Sequence, residues 1–230
     1  MKSITACVAP LVASATFAAA ALAATPSLGD EFTDPSLSGW QATTGEITDG
    51  GTTTWAVENG QLVVHVAQSS WVNARHAFYL SKTVDGNFDV STRVLTTGEH
   101  DRLPTGDWSL AGLLVRDPSA AETPNEQWVG WTVGRVRGRN VLERKTTQNG
   151  VSQLVLLPAR ALRIDLRIVR RGASFTLYRR YPGQKWLKVY RYLRPDLGST
   201  LQVGIDAQSG FGTSADLVVR ADWVRFAPTQ

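Results

Sequence analysis

The sequence predicts an all-β protein, a two-sheet antiparallel sandwich or a barrel, and three observations carry that expectation. Leu162, Ile164, Leu166 and Ile168 alternate with Arg163, Asp165, Arg167 and Val169, the period of two that gives a strand one buried and one wet face. Asn59-Gly60, Asp85-Gly86 and Asn149-Gly150 are dipeptides whose members tolerate positive φ, the chemistry of tight β-hairpins. Beyond the N-terminal segment, no window keeps the 3.6-residue period of an amphipathic helix.

Taken in order, the chain begins with Lys2 and an apolar, alanine-rich run from Ile4 to Leu22, followed by Ala21-Leu22-Ala23, a small-x-small cleavage pattern. Residues 1–23 are expected to be a signal peptide, which implies secretion to the periplasm or the medium, with residues 24–230 as one β-sandwich domain. The single cysteine, Cys7, lies inside that leader, so the mature chain has neither disulfide nor thiol chemistry. Strands are predicted at Trp55–Val57, Gln61–Ala67 and Phe88–Val94, then at Ala111–Arg116, Trp128–Arg135 and Asn140–Thr146. Four more follow at Leu162–Val169, Ser174–Tyr181, Leu201–Gln208 and Leu217–Phe226, and the longer loops fall at Gly98–Gly106 and Pro118–Asn125. No membrane span is expected, because no later segment approaches the ~20 apolar residues needed.

Charge is unevenly placed. Residues 131–197 hold sixteen basic and three acidic side chains, whereas residues 24–130 hold five basic and fourteen acidic ones. The basic stretch either pairs with acids folded alongside it or leaves a surface that attracts polyanions. For an exported chain with no nucleic-acid motif, a polysaccharide is the expected partner and nucleic acid is not.

Much catalytic chemistry is missing. There is no G-x-S-x-G elbow, and His65, His76 and His100 lack metal-ligand spacing. The carboxylate array E-x-D-x-E or E-x-D-x-x-E of retaining glycosidases is absent; Glu143 and Asp165 stand among basic residues and read as ion-paired surface carboxylates.

Several segments together resemble a known group. Asp30-Glu31-Phe32 with Gly39-Trp40, Val57 to Leu62, Gly86 to Val90 and Ala111 to Arg116 resemble the concanavalin A-like, laminin G-like jelly rolls of bacterial carbohydrate-active proteins. The C-terminal domains of β-xylosidases and their stand-alone relatives of unassigned function are the nearest likeness, which runs over nearly the whole mature chain. The resemblance implies a two-sheet jelly-roll sandwich that meets sugars on one face or on its loop rim, sometimes with a structural calcium. Its motifs are hairpin glycines and strand cores, which report fold more firmly than activity.

Sugar binding calls for flat rings that stack on pyranose C–H faces and planar polar groups that take hydroxyls in pairs. Of eight tryptophans, Trp40, Trp55, Trp186 and Trp223 are assigned to the core. Trp71, Trp108 and Trp131 are the candidate stacking rings; Trp128 and Trp131 have opposite strand parity, so only one of those two can face the core. Arg116 is expected to project from the outer face of its sheet, beside a ligand or beside Asp117 or Glu143, and Glu143 joins the ligand-binding set. Asp30, Glu31 and Asp222 lie on terminal strands that a jelly roll brings together and are the candidate calcium ligands. The functional expectation is a secreted, monomeric carbohydrate-binding or carbohydrate-processing protein favouring acidic polysaccharides. A glycan-active enzyme, either a glycoside hydrolase or a polysaccharide lyase with an acid pair not recognisable in the sequence, and an envelope or adhesion protein are the alternatives.

Overall fold

The computed structural model describes residues 28–45, 51–210 and 215–228. The expected signal peptide and its cleavage point lie outside the described residues. Fourteen strands are present among those described: β1 (Gln41–Thr43), β2 (Thr54–Glu58), β3 (Gln61–Val66), β4 (Phe78–Asp85), β5 (Phe88–Thr97), β6 (Ser109–Arg116) and β7 (Trp128–Val136). The chain continues through β8 (Arg139–Gln148), β9 (Val151–Pro158), β10 (Arg163–Arg171), β11 (Ser174–Arg180), β12 (Leu187–Leu193), β13 (Thr200–Ser209) and β14 (Leu217–Phe226). Two single 3-10 turns, Glu99–Asp101 and Pro118–Ala120, lie in the loops expected from sequence.

The strands form two seven-stranded antiparallel sheets. The front sheet has the order β1-β4-β13-β6-β7-β8-β9, and the back sheet β12-β11-β10-β5-β14-β3-β2. No helix among the described residues is long and apolar enough to cross a membrane.

The period-two patterns decide which side of each strand is buried. Leu113, Val115, Val129, Trp131, Val203 and Ile205 point inward from the front sheet and meet Ile164, Leu166, Ile168, Val90, Val219 and Ala221 from the back sheet in one core. Burying such side chains contributes roughly 1.5–3 kcal/mol apiece against leaving them exposed. Two of the expected hairpins form as predicted: Asn59-Gly60 and Asn149-Gly150 both have positive φ at both positions, joining β2 to β3 and β8 to β9. A third turn of the same kind, Arg137-Gly138, joins β7 to β8.

The core assignment of the tryptophans needs correction. Trp131 is fully buried, facing the inter-sheet core and donating its indole N–H to the Tyr178 carbonyl at 2.8 Å. Trp55, on the edge strand β2, is instead 37% exposed. Trp186 lies outside the core, its ring flanked by Arg167 and Arg180, whereas Trp223 is buried as assigned, between Arg93 and Arg225.

Candidate functional site

The outer face of the front sheet carries the candidate site, and strand register places its residues in transverse rows. One row runs Gln208, Leu110, Gly134, Val141 and Pro158 across β13, β6, β7, β8 and β9. The next runs Tyr79, Asp206, Gly112, Thr132, Glu143 and Leu156 from β4 to β9. A third holds Ser81, Gly204, Leu114, Gly130, Lys145 and Leu154, and a fourth Thr83, Gln202, Arg116, Trp128, Thr147 and Ser152. Alternation sends all of these to the side opposite the core. The parity argument for Trp128 and Trp131 therefore holds, with Trp128 on this face.

A strap formed by the β3–β4 connection, Gln68 to Ala77, lies diagonally over the rows. It is anchored at β13 by Ser69 N–H to the Ser209 carbonyl at 3.0 Å and by Trp71 N–H to the Gln208 side-chain oxygen. At β9, Asn73 N–H donates to Ser152 Oγ at 2.7 Å while Asn73 Oδ1 accepts from Ser152 N–H at 3.1 Å. Trp71, expected to be an exposed ring, is 1% exposed: it plugs the space against Trp128 and Tyr79, both in edge-on contact, with the Arg116 guanidinium over its ring. Arg116 does project outward, as its parity requires, but its partner is neither Asp117 nor Glu143. It forms a two-pronged pair with Glu126, and both side chains are buried.

The middle of the face is polar and shielded. Glu143 is not a surface carboxylate; it and Asp206 are each 2% exposed, and Lys145 3%. Lys145 Nζ lies 3.4 Å from Glu143 Oε1. Glu143 Oε2, Asp206 Oδ1, Thr132 Oγ1 and Trp128 Nε1 are buried without a hydrogen-bond partner in the protein, a grouping that ordinarily signals bound water or ligand. Burial, reinforced by the charge of Glu143, pushes the Asp206 carboxyl up to about 8, against a smaller opposing pull from backbone N–H groups and Lys145. Burial also raises Glu143, with Lys145 acting in the opposite direction.

Trp108 stands beside this region. It is half-buried and packs with Leu110, Val136, Val141 and Leu156. Its backbone is left-handed at φ 58, a conformation that a bulky residue adopts only when its surroundings impose it. Asp107 imposes it here: Oδ1 accepts the Trp108 N–H at 3.0 Å and the Arg137 N–H at 2.6 Å, tying the loop to the β7–β8 turn. Between Trp108 and the strap lies a cavity of about 220 Å³ lined by Ser70, Val72, Trp108, Lys145, Leu154 and Gln208. At the β7–β8 turn, Val136, Arg137, Arg139, Asn140, Val141, Leu156, Leu157 and Pro158 line a second, of about 490 Å³. The sequence therefore identified Trp108 and Glu143 on this face but passed over Asp206, Lys145, Gln208 and the strap. Asp206 could have been found only by pairing β13 with β6, since it follows Ile205 as an ordinary polar position in an alternating strand.

The acids assigned to calcium have other partners. Asp30 does bridge to Val224, joining the chain ends, but its carboxylate accepts from Phe32 N–H and the Trp40 indole, both at 2.7 Å. Arg225 grips Glu31 and Arg163 holds Asp222. These residues do not form a cage for a hard cation, and the described residues contain no group of three or more histidine, cysteine or acidic side chains placed to hold a metal.

Comparison with known proteins gives fold rather than family. No protein-family model matches the sequence, and no curated protein matches it. Among solved structures, 88% of the chain overlays on 39% of the GH43 protein BlXynB from Bacillus licheniformis, at 18% identity and a TM-score of 0.65. The B. licheniformis β-glucanase matches over 90% of this chain and all of its own, at 12% identity and a TM-score of 0.57. A functionally unknown protein from Saccharomyces cerevisiae matches over 84% of this chain and 99% of its own, at 15% identity and a TM-score of 0.61. The chain spans about two fifths of the length of the GH43 protein. These likenesses, together with the two antiparallel sheets, make the fold a concanavalin A-like jelly-roll sandwich, the architecture the sequence motifs implied.

Proposed function

We propose that this protein is exported and binds an anionic polysaccharide on the outer face of its front sheet, along the groove walled by Trp108. The observation that carries the reading is Trp108 itself: a half-buried indole, locked in a costly backbone conformation, that lines a mostly apolar cavity edged by Ser70, Lys145 and Gln208 and packs on Val136, Val141 and Leu156, which line a second cavity rimmed by arginines. Aromatic walls with a few convergent polar groups are what a sugar ring requires. Arg137 and Arg139 have no carboxylate partner among the described residues, and a guanidinium matches a uronate or sulfate with two parallel hydrogen bonds. The carbohydrate-active jelly rolls that this chain is similar to support the substrate class, and the cleavable leader pattern supports export.

The test is affinity for polygalacturonate, alginate and neutral xylan at low and high salt. The acidic polymers should bind more tightly, and binding should weaken as salt rises, because exposed charges are screened over about 8 Å at physiological ionic strength. Trp108→Ala should cost about 1–3 kcal/mol of binding, and the double variant Arg137→Ala/Arg139→Ala should remove the preference for acidic polymers. Salt-insensitive affinity equal for all three polymers would reject the anionic preference; full affinity in the Trp108 variant would reject the groove.

A further inference from the structure

We infer that the cavity of about 220 Å³ beside Trp108 is a pocket for an aromatic acyl group esterified to the polysaccharide; this rests on the reading that such a polymer lies along the groove. Among the described residues, Val72, Leu154 and the Trp108 indole form its apolar walls, and Ser70, Lys145 and Gln208 are the polar side chains that line it. A sugar ring stacked in the open groove keeps its outer hydroxyls in water. Seated in this cavity it would press several of them against Val72 and Leu154, and each hydroxyl buried without a partner costs free energy. A flat aromatic ring asks for no hydrogen bonds, and an indole is a favourable neighbour for it.

Size points the same way. A dry apolar cavity of about 150 Å³ takes up benzene, and this one is larger by roughly two water volumes, space for the few further heavy atoms of an ester or a short unsaturated arm. An acetyl group would leave much of the cavity empty, and walls without contacts forfeit the packing that holds a ligand. The walls are in place before a ligand arrives. Asn73 and Ser152 exchange two hydrogen bonds, at 2.7 and 3.1 Å, beside Val72 and two residues from Leu154, which pins the strap to β9.

The polar groups decide the charge of the ligand. Gln208 Oε1 accepts the Trp71 N–H, so the donor end of its amide is what Gln208 has left to offer. Ser70 supplies a hydroxyl, and Lys145 an ammonium already matched by Glu143, with Nζ 3.4 Å from Oε1. Lys145 and Glu143 are both buried, so a carboxylate entering beside them would set a second buried anion against one buried cation. An ester carbonyl accepts from the same donors and brings no charge. The two parts of the groove therefore read different features of one polymer: the arginines of the β7–β8 turn its acid groups, the cavity its neutral aromatic esters.

The test titrates purified protein by calorimetry with methyl cinnamate, a neutral aromatic ester, and with the cinnamate anion and methyl acetate as comparisons. Methyl cinnamate should saturate one site, the anion should bind at least about 10-fold more weakly, and methyl acetate should not saturate. Leu154→Trp, on the edge strand, and Val72→Trp, on the strap, fill the cavity from two sides; each should weaken methyl cinnamate at least about 10-fold with melting temperature retained, and either suffices if the other fails to fold. Polygalacturonate bearing a few cinnamoyl esters on its hydroxyls should bind at least about 10-fold more tightly than the unmodified polymer, and saturating methyl cinnamate should abolish the difference. No saturable binding of methyl cinnamate, or binding undiminished in the folded variants, overturns the pocket and leaves the polysaccharide reading to stand on the unmodified polymers. An anion that binds as tightly as the ester overturns the neutral ligand. Equal affinity for the two polymers overturns the attachment of the ester to a polysaccharide. Methyl cinnamate binding with no binding of any polymer overturns the polysaccharide reading and that attachment with it.

Discussion

Asp165 on the back sheet and Asp206 on the front sheet are both aspartates in mid-strand, both on the outward side, with 0% and 2% exposure. Asp165 receives two guanidinium groups: Arg93 Nε donates to Oδ1 at 2.6 Å and Arg180 Nε to Oδ2 at 2.9 Å. Around it Arg167 pairs with Asp89 and Arg163 with Asp222, while Trp186 and Trp223 fill the spaces between guanidinium planes. Asp206 has an oxygen with no partner, a carboxylate neighbour and a raised pKa. The back face satisfies its charges internally and asks nothing of a ligand; the front face holds polar groups away from water without completing their bonds. Natural structures retain such incomplete groups chiefly where something binds or reacts. For the basic stretch of the sequence, this means that much of the arginine excess on β10 and β11 is structural, with Arg163, Arg167 and Arg180 paired to acids.

The matched pairs should be costly to break. Arg116→Ala leaves Glu126, which is 0% exposed, as a buried charge without its counter-ion, and should destabilise the fold by about 3–5 kcal/mol in chemical denaturation. A loss below about 1 kcal/mol would show that water enters and replaces the pair. Asp165→Ala should cost less, about 2–3 kcal/mol, because the two arginines it strands are 29% and 30% exposed and can rehydrate.

The unmatched acid predicts the opposite sign. The folded-state pKa of Asp206 is raised to about 8, above the unfolded value of about 3.9, so the native state holds a proton that the unfolded state releases across this interval. The contribution of Asp206 to stability is therefore fully present at low pH, declines as pH rises from about 4 to about 8, and levels off above that. The slope should not exceed about 1.4 kcal/mol per pH unit for one proton. Asp206→Asn should flatten that part of the pH profile and make the protein more stable than the wild type near pH 9. Parallel profiles for the two proteins would place the proton elsewhere.

The fold was legible where both faces of a strand leave a signature. The ten predicted strands are all present, since central strands such as β10 alternate cleanly between core and guanidinium layer. Those passed over were β1, β4, β9 and β12, three of them sheet edges. On β9, Val151-Ser152-Gln153-Leu154-Val155-Leu156-Leu157 has no clean alternation because neither side is fully covered; Val151 is 63% exposed. The site was legible only in part. Composition marks rings and charges, and backbone geometry singled out Trp108 only after folding. Trp71 looked exposed in its serine-rich setting because nothing local indicates that a loop will fold back over a sheet and carry its tryptophan underneath. Asp206 and Glu143 are 63 positions apart in the chain, and only the strand order places them in one row.

The opposed indoles of β7 bear on how reliably the chain folds. Trp131 is held in the inter-sheet core by the Tyr178 carbonyl, and Trp128 is packed on the other side with Trp71, Leu114 and Tyr79. Slipping this strand by one residue would exchange its two sides, driving Thr132 into the core and expelling both indoles from their pockets. A strand buried on one side alone can tolerate mispaired intermediates, whereas here each misalignment is penalised twice. The centre of the front sheet is thereby proofread during assembly, and errors of pairing should concentrate at the sparsely covered margins, β9 and β12, where aggregation of newly made chains would begin.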